Sequence, residues 1–281
     1  MSVDPPTVSV ITPLFNKEEF LQECIDSVFT QSFPAWEFII IDDGSTDDSL
    51  TIARKAETAD PTRIKVLQHS DARNHGVSAS RNLGLTHASG TFCAFLDADD
   101  VFMREKLAHD VRILTENSDS AAVISRALWW HSDKSQPDFM DKFGEPVDRI
   151  HTPPSLFRSV FLQGTFNVPC PCAVTIRRDV LSSTSSFDIH LRTWEDQKFF
   201  AELTFRFPVY VSGACVSKYR RVLTNSAWAA AVADGSDREN ELYFLKWMHA
   251  LLDAQRTLDP LILSEFNGRY LAFEKRYNSG R

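Results

Sequence analysis

Residues 92–100 read FCAFLDADD and residues 38–46 read FIIIDDGST, so two apolar runs each lead into aspartates. The runs VSVI at 8–11 and IKVL at 64–67 have a similar character. All four are too apolar for strands with one face in water, which is typical of a parallel sheet covered on both sides. The amphipathic segments between them favour crossover helices, and the whole pattern predicts an α/β fold.

Three helices are predicted between these strands. The first lies within 17–31 and carries its apolar side chains on one stripe. The second is expected to begin at Ser45 or Thr46, because these hydroxyl side chains suit the N-cap position and acidic residues follow them. The third covers about 77–88 and is expected to stop before Gly90.

The regular alternation of apolar runs and amphipathic segments ends after residue 100. AAVISRALWW at 121–130 predicts another strand, and WEDQKFFAELTFRF at 194–207 predicts a helix. The polar stretch 131–155 shows no period, so we expect a long mobile loop that acts as a binding lid. From about residue 234 the sequence is helical and amphipathic. Packing is favoured there over a surface for a partner or membrane, since basic residues are balanced by acids.

The composition argues against several classes of protein. The 281 residues carry a formal charge of −8, which argues against a nucleic-acid binder. No apolar run approaches the roughly 20 residues of a membrane span, and the start MSVDPPT lacks a secretory pattern. We therefore expect a cytoplasmic protein, with peripheral membrane association left open.

Cysteine usage gives no strong site. Five cysteines, an odd number, argue against a disulfide framework. Cys170 and Cys172 are interpreted as structural residues, the alternative being one half of a metal site.

Aspartates follow the runs that end at Ile41 and Leu96. Because ligands of parallel sheets bind at the carboxyl ends of the strands, these residues are candidates for a site. Like charges packed together need a cation or many N–H groups, and carboxylate oxygens suit Mg²⁺ or Mn²⁺. The alternative is that the acids only cap helices or face water. Two such clusters on neighbouring strand ends favour a functional site.

These motifs, with GVSASRNLGLTHASG at 76–90 and TWEDQKFF at 193–200, resemble those of the family 2 glycosyltransferases. The resemblance covers residues 7 to about 222, with the motifs in the expected order. It implies the Rossmann-like nucleotide-diphospho-sugar transferase (GT-A) fold, with a mostly parallel sheet flanked by helices. We expect a catalytic domain at 1–225 and a helical C-terminal extension at 226–281.

The resemblance also implies where a nucleotide-sugar donor binds. Asp43 would accept the base N–H, Asp42 would support that end, and Arg81 would help to hold the nucleotide. Phe15 either lies against the base or packs in the core. The implied donor-binding residues are Pro13, Phe15, Asn16, Asp42, Asp43, Arg81, Asp97 and Ala98.

The segment Asp97-Ala98-Asp99 corresponds to the Asp-x-Asp motif of the family. The resemblance implies that Asp97 approaches the ribose and that Asp99 binds the Mn²⁺ or Mg²⁺ ion that bridges the diphosphate. The small Ala98 would let the donor lie close. Asp100 is expected to cap the following segment instead of touching the metal.

Asp196 corresponds to the base that takes the proton of the acceptor hydroxyl. Its position at the start of a helix favours the ionised carboxylate, so we expect a charged but weak base. Glu195 is assigned a supporting role. Arg220 resembles a late basic residue of the family that would meet the diphosphate.

The implied activity is an inverting, metal-dependent transfer of one hexose or N-acetylhexosamine. The donor would be a nucleotide diphosphate sugar, with UDP favoured, and the acceptor a hydroxyl of a saccharide, a lipid-linked glycan or a protein. A sugar nucleotidyltransferase is disfavoured because TPLFNKEE at 12–19 has no glycine. The alternative is a non-catalytic binding protein for glycans or nucleotide sugars on the same fold.

Two features near the expected acceptor side are less typical. Ser185-Ser186-Phe187-Asp188 stands where many relatives have Gly-Gly-Phe-Asp, so the turn there is expected to differ. Trp129, Trp130 and His131 either stack on sugar rings or pack in the core.

Overall fold

The computed structural model describes residues 7–134, 136–221, 227–254 and 259–278. Within them one central sheet is flanked by helices. The strands are β1 Val8–Leu14, β2 Trp36–Asp42, β3 Ile64–Gln68, β4 Phe92–Phe95, β5 Val101–Phe102, β6 Ala122–Trp130, β7 Phe139–Met140, β8 Arg149–His151, β9 Val174–Arg177 and β10 Val209–Arg220.

The helices of the described chain alternate with these strands and then dominate its C-terminal part. They are α1 Leu21–Phe29, α2 Ser49–Ala59, α3 Val77–His87, α4 Lys106–Glu116, α5 Ser155–Phe157, α6 Glu195–Arg206, α7 Ala227–Asp234, α8 Ser236–Asp253 and α9 Pro260–Asn278. A π-helical turn at Arg158–Leu162 continues α5, and 3-10 turns lie at Pro171–Ala173 and Arg178–Ser183.

The strand order is β3-β2-β1-β4-β9-β6-β10-β5. The first four strands are parallel to one another, and β6 is parallel to β10. Strand β9 runs antiparallel to both β4 and β6, and the short strands β5, β7 and β8 also pair antiparallel. The four apolar runs of the sequence thus form the parallel half, in which every residue of β1 and β2 is buried.

Helix α2 begins at Ser49, later than the predicted start at Ser45 or Thr46. Ser45 Oγ instead accepts the Asn16 amide at 3.1 Å, and Asn16 Oδ1 accepts the Thr46 amide at 2.8 Å. Asp47 Oδ1 accepts the Ser49 amide at 3.0 Å at the start of the helix. The predicted caps were wrong because their polar groups join two loops at the carboxyl edge of the sheet.

The described part of 131–155 contains sheet structure, which the expectation of a mobile loop missed. Phe139 in β7 pairs with Trp129, and His151 in β8 pairs with Val209. Asp141 Oδ2 accepts the Ala127 amide at 3.0 Å, next to β7. Such short strands give no sequence period, because their stability comes from pairing with longer strands.

Helices α8 and α9 pack onto the sheet-bearing part of the chain. Phe244 of α8 and Phe266 of α9 are 0% and 2% exposed. Arg158 and Glu265 form an ion pair at 2.7 Å across this contact. The packing interpretation agrees with this arrangement, while a domain boundary at residue 225 stays a prediction. No described helix is both long enough and apolar enough to cross a bilayer.

Gly84 sets the distance between α3 and the sheet. A Cβ at this position would lie 2.5 Å from Ile11 Cγ2 and 2.8 Å from Ile41 Cδ1. We expect Gly84→Ala to lower the free energy of unfolding by about 1–3 kcal/mol, because two buried strand residues would have to move. Urea denaturation measures the change.

Gly268 provides the matched control within α9. Its Cβ would meet nothing within 4 Å. Gly268→Ala should therefore stabilise the protein by about 0.5–1 kcal/mol through helix propensity alone. Equal effects of the two substitutions would contradict close packing at Gly84.

Candidate active site

Three strand ends meet at one edge of the sheet. Leu14 of β1 pairs with Asp42 of β2, and Ile11 pairs with Phe95 of β4. The amide of Leu96 donates to the Ile11 carbonyl at 3.0 Å and extends this alignment beyond β4. The register therefore brings the aspartates that follow β2 and β4 to the same edge, as their motifs predicted.

Asp42 and Asp43 are almost fully buried, with 1% and 3% exposure. Asp42 Oδ2 accepts from Gln68 Nε2 at 3.0 Å. Asp43 accepts the main-chain amides of His75 at 2.7 Å and Gly76 at 2.9 Å. These bonds fix the loop before α3. His69 Nε2 also lies 3.3 Å from Asp43 Oδ1. A carboxylate has about four acceptor sites, so Asp43 retains capacity for one further N–H donor, and its contact with a base stays a prediction.

Phe15 follows β1 and is 44% exposed, so its ring does not pack in the core. Pro13 lies within β1 and is buried. Asn16 has a left-handed backbone with φ of 50°, and its side chain holds the Thr46 amide. The structure thus leaves one aromatic ring open to solvent beside a braced polar loop.

Arg81 lies at the centre of the site and is 2% exposed. One guanidinium nitrogen donates to Asp97 Oδ1 at 2.8 Å and the other to Glu195 Oε1 at 2.9 Å. Burial disfavours the charge, but Asp97 and Glu195 raise the pKa of Arg81 above its ordinary value. The guanidinium also lies over the ring of Phe187 at 5.2 Å. Arg81 therefore joins two acidic motifs, and the expected contact with a nucleotide stays a prediction.

Glu195 and Asp196 form the first turn of α6. Burial, with the charge of Asp196, raises the pKa of Glu195 to about 7 although Arg81 opposes the shift. Burial also raises the pKa of Asp196, against the effects of Arg81 and of the Gln197 amide, which donates to Oδ1 at 2.7 Å. Burial therefore opposes the effect of the helix N-terminus on the pKa of Asp196, and the role of this residue as a base stays a prediction.

Trp194 orients the start of α6. Its backbone is left-handed with φ of 72°, and its Nε1 donates to Asp237 Oδ1 of α8 at 2.9 Å. Asn240 of α8 donates to Thr193 Oγ1 at 2.9 Å. The C-terminal helices thus hold the acidic pair in place, a contact that no sequence motif indicated.

The two aspartates around Ala98 are paired with different cations. Ala98 is buried at 2% exposure. Asp97 contacts Arg81, whereas Asp99 Oδ2 lies 2.6 Å from Lys17 Nζ. Lys17 follows Asn16 in the β1–α1 loop, whereas the sequence pattern predicted it within the first helical segment. Its place three residues after the end of β1 was the available signal.

Asp100 is 1% exposed and does not cap the following segment, which corrects the expectation. Its Oδ1 accepts the Arg220 amide at 2.8 Å, and Arg220 Nε donates to the Asp99 carbonyl at 2.7 Å. Arg220 is itself 6% exposed and forms an ion pair with Glu23. Its guanidinium lies over Trp130 at 4.2 Å. Arg220 thus holds the segment Asp99–Asp100 through two hydrogen bonds. Its contact with a diphosphate stays a prediction.

Three aromatic rings form a row beside the site. Tyr219 lies 5.0 Å from Trp129, which is stacked on Phe139 at 5.2 Å. Burial raises the pKa of Tyr219, and so do the acidic groups Asp100, Cys170, Asp97 and Asp196 near its hydroxyl. Phe139 is 45% exposed at the outer end of the row.

Trp129 and Trp130 of β6, with the adjacent His131, were expected either to stack on sugar rings or to pack in the core. Trp129 donates through Nε1 to Asp141 Oδ1 at 2.5 Å, and Trp130 is covered by Arg220 and by Lys218, at 4.8 Å. His131 is buried at 4% exposure. The open ring is thus that of Phe139, a residue the sequence did not single out.

Within the described ranges, no three His, Cys, Asp or Glu side chains are arranged to hold a metal ion. The Sγ atoms of Cys170 and Cys172 lie 3.4 Å apart and both residues are buried, as expected for structural thiols. Asp97 and Asp99 still offer hard oxygen donors, and Lys17 already places a cation against Asp99. This donor set fits Mg²⁺ or Mn²⁺ if phosphate and water supply the other ligands.

The site combines, within one cleft edge, a buried arginine bridge, partly exposed aspartates and an acidic pair whose pKa values are raised. Such an arrangement can hold a divalent cation that a diphosphate also coordinates, and a carboxylate within it can accept a proton from a hydroxyl group.

The profile of glycosyl transferase family 2 matches residues 9–184. TuaG of Bacillus subtilis (strain 168), named a putative teichuronic acid biosynthesis glycosyltransferase, is 32% identical over 231 residues, which are 80% of this chain and 84% of TuaG. WfgD of Escherichia coli is named a UDP-Glc:alpha-D-GlcNAc-diphosphoundecaprenol beta-1,3-glucosyltransferase. It is 36% identical over 124 residues, which are 41% of this chain and 44% of WfgD.

Among solved structures, S. aureus TarS 1-349 in complex with UDP aligns with a TM-score of 0.71 and 23% identity. The alignment covers 96% of this chain and 73% of that chain. The fold is therefore that of the GT-A glycosyltransferases, as the resemblance implied. The chain belongs to glycosyl transferase family 2 and is a glycosyltransferase.

Removal of the Arg81 guanidinium should leave the buried Glu195 and the partly exposed Asp97 without their shared cation. We expect Arg81→Met to lower the free energy of unfolding by about 3–5 kcal/mol, as for other broken buried ion pairs. Chemical denaturation followed by circular dichroism measures the loss.

Arg112→Met is the control, since Arg112 and Glu116 form a pair with both side chains 59% exposed. Its effect should stay within about 0.5–1 kcal/mol. If both variants were equally stable, Arg81 would not hold the site together.

Proposed function

We propose that this protein transfers one hexose or N-acetylhexosamine from a UDP-sugar to an acceptor hydroxyl, with inversion at the anomeric carbon. The observation that carries the proposal is the Arg81 bridge from Asp97 to Glu195. It joins the Asp-Ala-Asp segment after β4 to the acidic start of α6. Donor-binding and proton-accepting groups are thereby adjacent, as a direct displacement requires.

Asp196 is the proposed general base. Its raised pKa makes the carboxylate a better proton acceptor than an ordinary aspartate. The Gln197 amide holds one of its oxygens, which fixes the carboxylate plane. The other oxygen would take the proton of the acceptor hydroxyl as the oxygen attacks the anomeric carbon. Glu195 supports this group by holding Arg81.

Asp99, with Asp97 beside it, would hold Mn²⁺ or Mg²⁺. When bound, the ion supplies Lewis-acid stabilisation of the diphosphate leaving group. Arg81 keeps the Asp97 side chain in place, and Arg220 fixes the carbonyl of Asp99. These residues thus hold the donor-binding segment rigid during the reaction.

Phe15 and Asp43 are proposed to bind the nucleotide base, through a flat exposed ring and a buried acceptor. Asn16 and Asp42 would support this end by bracing the loops around it. A UDP donor is supported by the name of WfgD and by the UDP complex of TarS.

The acceptor is proposed to be a glycan or lipid-linked glycan in polysaccharide biosynthesis. The names of TuaG and WfgD support this class of acceptor. A lipid-linked acceptor lies in a membrane, so the enzyme would have to work at the membrane surface. This agrees with the peripheral membrane association that the sequence left open.

Asp196→Asn tests the proposed base. We expect turnover of UDP-sugars, measured as UDP release, to fall about 10²–10⁴-fold because proton transfer is lost. The affinity for UDP measured by calorimetry should stay within about twofold, since the substitution removes no proposed donor contact.

Asp179→Asn is the control, because Asp179 is an exposed aspartate in the first turn of another helical segment. This substitution should change neither the turnover nor the affinity for UDP. Retained turnover in Asp196→Asn would place the base elsewhere. Nucleotide-sugar binding without any UDP release by the wild type would favour the non-catalytic alternative.

Phe139→Ala tests acceptor binding by the aromatic row. We expect the KM for a glycan acceptor to rise about two- to tenfold, because one stacking contact contributes about 0.5–1.5 kcal/mol. UDP-sugar hydrolysis without acceptor should not change. Phe29→Ala is the matched control, since Phe29 is 37% exposed and lies against Trp36 at the opposite edge of the sheet. An equal KM for both variants would exclude Phe139 from the acceptor site.

A further inference from the structure

The two aspartates of the Asp-Ala-Asp segment differ in how firmly their cations are held. Arg81 is 2% exposed and bridges two carboxylates. The Lys17 side chain is 27% exposed and makes one ion pair, with Asp99 Oδ2 at 2.6 Å. The buried Arg81 guanidinium cannot leave without taking the cation from two carboxylates at once, whereas a partly exposed lysine can exchange its single partner.

The main chain on both sides of the Lys17–Asp99 pair is fixed. The Lys17 amide donates to Ser49 Oγ at 2.8 Å, and its carbonyl accepts the amides of Phe20 and Leu21. The Asp99 carbonyl accepts Arg220 Nε at 2.7 Å. Only the flexible stem of Lys17 is therefore free to move the ammonium group.

Lys17 also sits where an anionic ligand would arrive. The ammonium lies at the carboxyl edge of the sheet, between the loop after β1 and the residues after β4. Diphosphate oxygens compete well for a compact ammonium group that has a single partner. A diphosphate bound at this edge would therefore offer Lys17 an alternative partner to Asp99.

Resting on the proposed function, we infer that Lys17 is a positioning residue that makes divalent metal binding at Asp99 depend on the nucleotide. Without a nucleotide, Lys17 occupies the carboxylate and opposes a metal ion by charge and by position. With UDP, Lys17 turns to the diphosphate and Asp99 becomes free for the metal. Metal and nucleotide then favour each other's binding, as reciprocal coupling requires.

The test is a calorimetric titration of Mn²⁺ into the protein without nucleotide and with saturating UDP. Without UDP, Lys17→Met should bind Mn²⁺ about three- to tenfold more tightly than the wild type, because the competing cation is gone. The ratio of Mn²⁺ affinities with and without UDP should be smaller in the variant. Neither reading depends on catalytic turnover.

Two further variants separate the ion pair from general effects. Lys17→Arg keeps a cation near Asp99 and should resemble the wild type. Lys65→Met removes the same charge from an ion pair with Glu37 at 3.2 Å, on β3, and should leave Mn²⁺ affinity unchanged. Thermal melting in the absence of ligand confirms that each variant is folded.

The inference is overturned if Lys17→Met binds Mn²⁺ without UDP no better than the wild type, or if Lys65→Met shows the same gain. It is also overturned if UDP leaves the Mn²⁺ affinity of the wild type unchanged. A failure of the proposed function has a different signature, namely a wild type that binds UDP and Mn²⁺ with the expected coupling but releases no UDP from UDP-sugars.

Discussion

The buried contact of Arg81 with Asp97 and Glu195 is the interaction on which the site depends. Each partner lies on a different part of the fold, Arg81 on α3, Asp97 after β4 and Glu195 at the start of α6. Burying a charge costs much free energy unless partners compensate it. A single guanidinium with two carboxylates satisfies that condition, and it fixes the distance between the central sheet and the acidic helix.

Two further cationic side chains, those of Arg220 and Lys17, lie at the periphery of the site. Arg220 clamps the chain after Asp97 from β10, and Lys17 pairs with Asp99 from the loop after β1. The negative charges of the acidic groups at this edge are only partly balanced by these cations. In addition, burial raises the pKa values of Glu195 and Asp196. Such a site can attract a cation and offers a carboxylate as a proton acceptor, which is the chemistry that the proposed sugar transfer needs.

The C-terminal helices contribute to the site as well as to the core. Asp237 and Asn240 of α8 hold Trp194 and Thr193, immediately before the acidic pair. Tyr243 donates to Asp188 at 3.0 Å, and Lys198 of α6 pairs with the same carboxylate. Asn82 bonds Phe187 through both its side-chain atoms, at 2.8 and 2.9 Å, and so fixes the atypical Ser-Ser-Phe-Asp turn. This turn is thus held by α3, α6 and α8 together.

The sequence by itself determined the parallel half of the sheet and the edge at which the aspartates meet. Long apolar runs at 8–11 and 38–41 must be buried, and strand direction then dictates where Asp42 and Asp97 lie. Only the tertiary structure decided which cation pairs with which acid, because Arg81, Lys17 and Arg220 reach partners far away in the chain. It also decided how Asp196 is surrounded. The helix N-terminus favours the charged carboxylate, whereas burial raises its pKa, and burial depends on neighbours that no single segment contains.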